Sequence, residues 1–195
     1  MILLLALVAT ALEPPWRPLS WDGTAEVYPP GKVVRIAVRT RIDDQGNVVS
    51  ESWPVDVGEA KGMHRMTLDQ TGGTVEIGGK KGPMPQSMWD EEHAQYGFYA
   101  QLQEAARRAP SLARQGVNAF SVDGAVRTWF RLDSSGKIIG AVNEVPAGEN
   151  GARAYQTFRL DGFWQSNGLV FPRHMEMRRE GKPYFTLDVT EFEGH

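Results

Sequence analysis

Few residues of this chain have the types and the spacing that catalysis or metal binding requires. The densest cluster is the segment 90–93, Asp-Glu-Glu-His, in which Asp90 and His93 would share one face of a helix. A metal site needs three or four converging ligands. The other histidines are scattered singly, as His64, His174 and His195. The cluster is therefore interpreted as the start of an amphipathic helix, and no metal site is predicted.

No nucleophile stands in a recognisable catalytic setting. The sequence contains no cysteine and no Gly-x-Ser-x-Gly motif. The segment Gly78–Gly82, Gly-Gly-Lys-Lys-Gly, lacks the spacing of a phosphate-binding loop and is interpreted as a mobile loop. We expect a protein without cofactor, metal or catalytic residues. The alternative is an enzyme with a dispersed site, in which His64, His93 or His174 would meet carboxylates in one cleft.

Methionine and aromatic side chains are the more informative group. They form adaptable surfaces for apolar ligands, although a packed hydrophobic core explains them as well and is the commoner case. The candidate ligand-binding residues are Trp89, Tyr96, Tyr99, Phe130, Phe158 and Met175.

Trp129 is the most unusual aromatic residue. In a strand it would share one face with Arg127 and Arg131. It could stack on their guanidinium groups or face a partner. These three residues are the candidate partner-binding surface.

Recurring turn signals organise the chain. The segments 43–46 and 133–136 both read Asp-x-x-Gly, and Asp at the first position and Gly at the fourth suit a tight turn. Three similar turns are predicted at Asp69–Gly73, Gln165–Gly168 and Arg178–Lys182. The runs between them alternate between apolar and polar residues, for example Val33–Ile42 and Ala125–Leu132. The sequence therefore predicts an antiparallel meander.

One long helix interrupts the strands. Ser87 is the expected cap, with Asp90 three residues further on, and the helix should end before Pro110. A helix over about 87–108 with an aromatic stripe would lie across the apolar face of the sheet.

The first twelve residues are wholly apolar and match the core of a secretory signal, with Ala9-Thr10-Ala11 as a cleavage site. An ordinary buried strand is the alternative. We expect a signal segment at 1–11, an extended Pro- and Trp-rich arm at 12–32, and one domain at 33–195. The net charge of −3 disfavours nucleic acid as a partner. Twelve apolar residues are too few for a membrane span, so no integral membrane protein is expected, and a periplasmic or secreted location is predicted.

The C-terminal third carries a family resemblance. Segment 158–164 reads Phe-Arg-Leu-Asp-Gly-Phe-Trp, segment 167–176 contains Gly-Leu-Val-Phe-Pro, and segment 187–192 reads Leu-Asp-Val-Thr-Glu-Phe. This order resembles the closing section of periplasmic Lol-type lipoprotein carriers and of the envelope-stress regulators built on the same half-barrel. The resemblance implies an α+β fold, with a mainly antiparallel, curved, half-barrel-like sheet and one long central helix covering one face.

Two functions follow as hypotheses. The resemblance implies a periplasmic binding protein that takes an apolar or acylated ligand, a lipid or a lipidated protein, between sheet and helix. The alternative is a protein–protein module of the cell envelope, which would use the Trp129 face or a sheet edge and would have no internal cavity.

Overall fold

The computed structural model describes residues 15–147 and 152–195 of the chain. The strands are β1 (Leu19–Val27), β2 (Val34–Ile42), β3 (Val48–Pro54), β4 (His64–Leu68), β5 (Gly73–Ile77), β6 (Lys80–Pro83), β7 (Ala119–Val122), β8 (Thr128–Leu132), β9 (Ile138–Pro146), β10 (Arg153–Ser166), β11 (Leu169–Arg179) and β12 (Lys182–Gly194). The helices are the short α1 (Glu59–Gly62) and the long α2 (Gln86–Arg114). The predicted signal segment lies outside the described residues.

All strands form one open, curved, antiparallel sheet in the order β6-β5-β4-β3-β2-β1-β12-β11-β10-β9-β8-β7. The described chain thus begins and ends in the middle of the sheet, where β1 pairs with β12. Helix α2 connects the two edge strands, β6 and β7, and crosses the concave face of the sheet. The predicted antiparallel sheet with one long helix is confirmed.

The five predicted turns are present, and the three that begin with Asp use the expected chemistry. One carboxylate oxygen of Asp43 accepts hydrogen bonds from the backbone N–H groups of Gln45 and Asn47, at 2.9 and 2.8 Å. Asp133 makes the same contacts with its own turn. The glycines Gly46 and Gly136 have φ angles of 79° and 83°, a conformation that glycine adopts without strain. These local contacts set the register of the hairpins.

The predicted Ser87 cap and the predicted C-terminal end of the helix are wrong. Helix α2 starts at Gln86 with Pro85 at the N-cap position, so Ser87 lies inside the helix and forms no cap. Pro110 lies within the helix, although its ring removes one backbone hydrogen bond. The helix continues because Leu112 and Ala113, beyond the proline, pack against the core. It stops at Gly116, whose φ of 78° breaks the helical path.

Two segments expected to be irregular are strands. Leu19–Val27, placed in the N-terminal arm by sequence, is a central strand whose partner β12 lies at the far end of the chain. Lys80–Pro83, expected in a mobile loop, pairs with β5, and only Gly78 and Gly79 form the turn between them. Prolines border the first strand, which obscures its alternation of apolar and polar residues, and lysines and glycine dominate the second.

The core lies between helix α2 and the C-terminal half of the sheet. Phe98 on the helix stacks on Phe158 with ring centroids 4.3 Å apart, and on Phe130 at 5.8 Å. The helix packs on β7, β8, β9 and β11. Side chains of β2 to β5 on the same concave face are mostly only half-buried. The helix therefore closes one half of the concave face and leaves the other half less covered.

The convex face of the N-terminal half carries a ladder of alternating charges. Residues directly opposite one another on neighbouring strands have opposite signs along the row Asp22, Arg39, Glu51, Arg65 and Glu76. Arg39 lies 3.7 Å from Asp22 and 3.4 Å from Glu51. Opposite-charge pairs at this spacing each stabilise a sheet by about 0.2–1 kcal/mol. The ladder also keeps this face polar.

Gly23 offers a test of the seam between β1 and β12. A Cβ atom at Gly23 would overlap the backbone carbonyl oxygen of Asp188, whereas a Cβ at Gly82 would meet nothing within 4 Å. We expect Gly23→Ala to lower the free energy of unfolding by about 1–3 kcal/mol, because the strands have to separate. Gly82→Ala, the matched control, should change it by less than about 0.5 kcal/mol. Urea unfolding measures both, and equal stabilities would contradict the pairing.

Candidate cleft between helix and sheet

A cleft of about 230 Å³ opens between the N-terminal half of helix α2 and strands β1 to β5 and β12. Its floor is largely apolar, and its apolar residues are Ile36, Val38, Met66, Val75, Phe185 and Leu187. Its roof consists of Glu92, Gln95, Tyr96 and Tyr99. Side chains along each strand alternate between the two faces of the sheet, and those of the floor residues lie on the concave face. The cleft is the part of that face that α2 leaves open.

Three aromatic residues line the cleft, and we call them the aromatic cluster: Trp21, Tyr96 and Tyr99. Tyr96 and Tyr99 belong to the roof on α2, and Trp21 lies on the sheet. The ring centroids of Trp21 and Tyr99 are 4.8 Å apart, and those of Tyr96 and Tyr99 are 6.0 Å apart. Trp21 is 3% exposed, and its indole N–H has no hydrogen-bond partner in the described part of the chain. A buried donor of this kind favours a ligand or water acceptor nearby.

The floor also contains polar side chains. The hydroxyl groups of Thr40 and Ser50 are 3.0 Å apart and neighbour the hydroxyl of Tyr96. Ser52 and His64, which are paired across β3 and β4, also line the cleft. The cleft is therefore amphipathic, and a ligand that fills it meets hydrogen-bonding groups as well as apolar surface.

Two adjacent carboxyl groups on the helix have different surroundings. Glu91 lies 2.7 Å from the guanidinium of Arg179 and accepts a hydrogen bond from the Tyr184 hydroxyl at 3.2 Å. The Arg179 guanidinium also lies 3.9 Å from the centre of the Tyr184 ring. Glu92 lines the cleft and forms no ion pair or hydrogen bond with any described residue.

Burial raises the pKa of Glu92 from its ordinary value of 4.5 to about 7. The neighbouring charge of Glu91 adds to the rise in this pKa, and Arg179 opposes it. Burial also raises the pKa values of Tyr96 and Tyr99, and the charge of Glu92 contributes to both shifts. The carboxyl group of Glu92 is thus close to the aromatic cluster and poorly solvated.

The six candidate ligand-binding residues lie in three different settings. Tyr96 and Tyr99 line the cleft. Trp89 donates its indole N–H to the backbone carbonyl of Asp69 at 3.0 Å and stacks on His93. The remaining three are buried in the core, with exposed fractions of 1% for Phe130, 6% for Phe158 and 3% for Met175. The structure does not bring these six side chains to one surface.

Sequence reasoning missed the sheet side of the cleft and Glu92. Trp21 has a usable signal, because Leu19, Trp21 and Ala25 alternate with polar residues as in a half-buried strand. Sequence reasoning interpreted Glu92 only as part of the helix start. Its position in the cleft depends on the rotation of α2 about its axis, which the core contacts of Phe98 and Leu102 set.

The candidate partner-binding residues lie on the convex face. Trp129 is 50% exposed and stands opposite Val142 on β9. Arg127 forms an ion pair with Asp123 at 2.6 Å, and Arg131 is exposed. Among the cation–π contacts formed by the described residues, none involves Trp129. This face is therefore exposed and separate from the cleft.

The three histidines considered for a dispersed catalytic site lie in different surroundings. His64 lines the cleft. His93 stacks on Trp89 at 4.6 Å. His174 lies at 2.7 Å from Asp188 and 3.5 Å from Glu176, and these contacts raise its pKa, with the hydrogen bond to Asp188 as the main cause. One of the three, His64, therefore shares the cleft with a carboxyl group, that of Glu92, although no hydrogen bond or ion pair joins the two among the described residues.

Two solved structures resemble this chain over most of its length. One, assigned as an outer-membrane lipoprotein-sorting protein domain from Vibrio parahaemolyticus, has a TM-score of 0.55 and 8% identity, and the match covers 92% of this chain and 86% of that one. The other is a LolA superfamily protein from Nitrosomonas europaea, with a TM-score of 0.51, 10% identity, and coverage of 93% and 89%. The chain has a Lol-type fold. The resemblance in the C-terminal third is thereby confirmed.

No protein-family model matches the sequence, and no curated protein matches it. At 8–10% identity the likeness to the two Lol-type structures concerns the fold. In the described ranges, no helix combines the length and the apolar character needed to cross a membrane. The residues of this cleft determine which ligand it can bind.

Glu92 makes stability depend on pH in a defined direction. Between about pH 4.5 and pH 7 the folded protein holds a proton on Glu92 that the unfolded chain has released, because the pKa is higher in the folded state. Raising the pH through this window therefore destabilises the fold, by an amount on the order of 1–3 kcal/mol. Glu92→Gln should be more stable than the parent at pH 8 and lose that advantage at pH 5.

Urea unfolding at pH 5, 6, 7 and 8 measures the free energy of unfolding of both proteins. The difference between the two free energies cancels the contributions of other titrating groups, such as His174, because both proteins contain them. Asp90→Asn is the control, since Asp90 lies on the same helix and accepts a hydrogen bond from Gln86 at 2.9 Å. It should leave the pH dependence unchanged. A difference between Glu92→Gln and the parent that is the same at every pH would contradict a desolvated Glu92 carboxyl group.

Proposed function

We propose that this protein is a non-enzymatic carrier that binds the apolar chain of a lipid or lipidated protein in the cleft. The observation that carries the proposal is the open cleft itself, which has an apolar floor on the half of the sheet where the strands are less covered by the helix. Exposed apolar side chains in a concave surface favour occupation by an apolar ligand. The driving force is burial of alkyl groups, about 0.8 kcal/mol for each methylene.

The size of the cleft limits what it can hold. Pockets for drug-sized ligands have volumes of about 300–1,000 Å³. The cleft, at about 230 Å³, falls below that range. In the observed conformation it accommodates part of a single alkyl chain. We therefore propose a ligand that inserts one chain and keeps its remaining groups outside or at the rim.

The proposed location is the periplasm. The first of the two similar structures has been assigned to outer-membrane lipoprotein sorting. The apolar residues 1–12, with their Ala-x-Ala site, are consistent with export. Both observations favour a carrier that works in the cell envelope.

A second candidate function rests on Trp129. A half-exposed tryptophan beside Arg127 and Arg131 is the residue combination that protein interfaces favour. The function would be recognition of another envelope protein through the convex face. The two candidates use opposite faces of the sheet, so variants can separate them.

Filling the cleft tests the carrier. Val38 points into the cleft, and Val49 on the neighbouring strand β3 lies on the opposite face. We expect Val38→Phe to weaken binding of the neutral fluorophore N-phenyl-1-naphthylamine at least tenfold, because the new ring occupies the cleft. The free energy of unfolding should change by less than about 1 kcal/mol, since the ring fills open space.

Val49→Phe and Trp129→Ala are the controls, and both should keep the parent affinity in a fluorescence titration. Native mass spectrometry of protein purified from membrane-containing lysate should also show a lipid adduct in the parent and a reduced adduct in Val38→Phe. A parent that carries no adduct and does not bind the fluorophore would contradict the carrier function. Loss of binding in Trp129→Ala alone would move the binding site to the convex face.

A further inference from the structure

The charges that face the cleft are unbalanced. The described residues that line it include two with a formal charge, Glu92 and Arg65. Arg65 lies between His64 and Met66 on β4, so its side chain points to the convex face, where its guanidinium is 3.8 Å from Glu51. Only its backbone and the base of its side chain can border the cleft. The Glu92 carboxylate is therefore the formal charge that a ligand in the cleft would meet first.

The neighbouring cation does not neutralise this carboxylate. Arg179 lies on the sheet side, and its attraction partly offsets the rise in the pKa of Glu92. Its guanidinium, however, is engaged by Glu91 at 2.7 Å and by the Tyr184 ring at 3.9 Å. Glu92 itself contacts no cation within the described part of the chain. A negative charge in a poorly solvated wall is costly unless a partner of opposite sign arrives.

The aromatic cluster complements that charge. Tyr96 follows Glu92 by one helical turn and Tyr99 by two, so the three side chains share one face of α2. Trp21 approaches them from the sheet, with its ring centroid 6.5 Å from that of Tyr96 and 4.8 Å from that of Tyr99. Aromatic faces attract cations, and such rings recognise ammonium groups in many binding sites. A carboxylate beside several aromatic rings is therefore suited to an amine.

We propose that the cleft selects amphiphiles with a cationic amine head, with Glu92 as the counter-ion and the aromatic cluster beside it. This inference rests on the proposed function, in which the apolar floor takes the alkyl chain. A fatty acid of the same chain length would place its carboxylate against Glu92 and should be rejected.

Three ligands with the same ten-carbon chain separate chain binding from head-group selection: decylamine, 1-decanol and decanoate. Isothermal titration at pH 8 and low salt, below the micelle concentration, gives the three affinities. Glu92 is ionised at this pH, because its pKa is about 7. We expect decylamine to bind at least tenfold more tightly than 1-decanol, and 1-decanol to bind more tightly than decanoate.

Two variants test whether Glu92 causes the selection. In Glu92→Gln the ratio of the decylamine affinity to the 1-decanol affinity should fall to within about twofold of one. Asp90→Asn removes the same charge from the same helix without altering the cleft lining, and it should retain the tenfold ratio. Circular dichroism and the urea midpoint confirm that both variants are folded.

The outcomes distinguish the two levels of the proposal. If the parent binds decylamine and 1-decanol equally, or binds decanoate best, the amine selection is wrong and the apolar carrier stands. If Asp90→Asn loses the preference as fully as Glu92→Gln, the preference reflects overall charge and the assigned role of Glu92 is wrong. If none of the three ligands binds, the carrier function and the selection are both overturned.

Discussion

One helix has to cover a sheet that is much wider than the helix. Twelve strands at a spacing of about 4.8 Å form a sheet more than about 50 Å across, whereas a helix with its side chains is about 10–12 Å wide. Helix α2 packs on strands of the C-terminal half, where Phe98 stacks on the rings of Phe130 and Phe158. The opposite half of the concave face keeps an apolar floor without full cover. The cleft is a direct consequence of this mismatch.

The order of the strands decides where the helix can go. The described chain begins and ends in the middle of the sheet, so β1 and β12 form a seam and β6 and β7 become the edges. The connection between the two edges crosses the concave face, and α2 is that connection. Gly23 lets the backbones approach at the seam. Trp21, two residues earlier on β1, lines the cleft. The seam thus positions a wall of the candidate site.

The fold and the ligand specificity have different origins. This chain shares its fold with two Lol-type proteins at 8–10% identity, so very different side chains support the same sheet and helix. Alternation and turn chemistry can be satisfied by many sequences, and they are what the fold requires. The cleft of this chain is lined by Glu92, Thr40 and Ser50 as well as by apolar residues. The proposed choice of ligand therefore follows from a few side chains and not from the fold.

The features that the sequence by itself determined are local in the chain. The Asp43 and Asp133 turns need only contacts within four residues, and strand faces such as Val126 to Leu132 need only alternation. Features that depend on distant partners were decided by the tertiary structure. The central position of strand β1 follows from its pairing with β12, about 165 residues further along the chain, and Pro110 stays helical because the residues beyond it pack on the core. Trp21, Ser50 and Glu92 meet in the cleft only after the sheet closes at its seam, since burial and contact between remote segments do not appear in any short stretch of sequence.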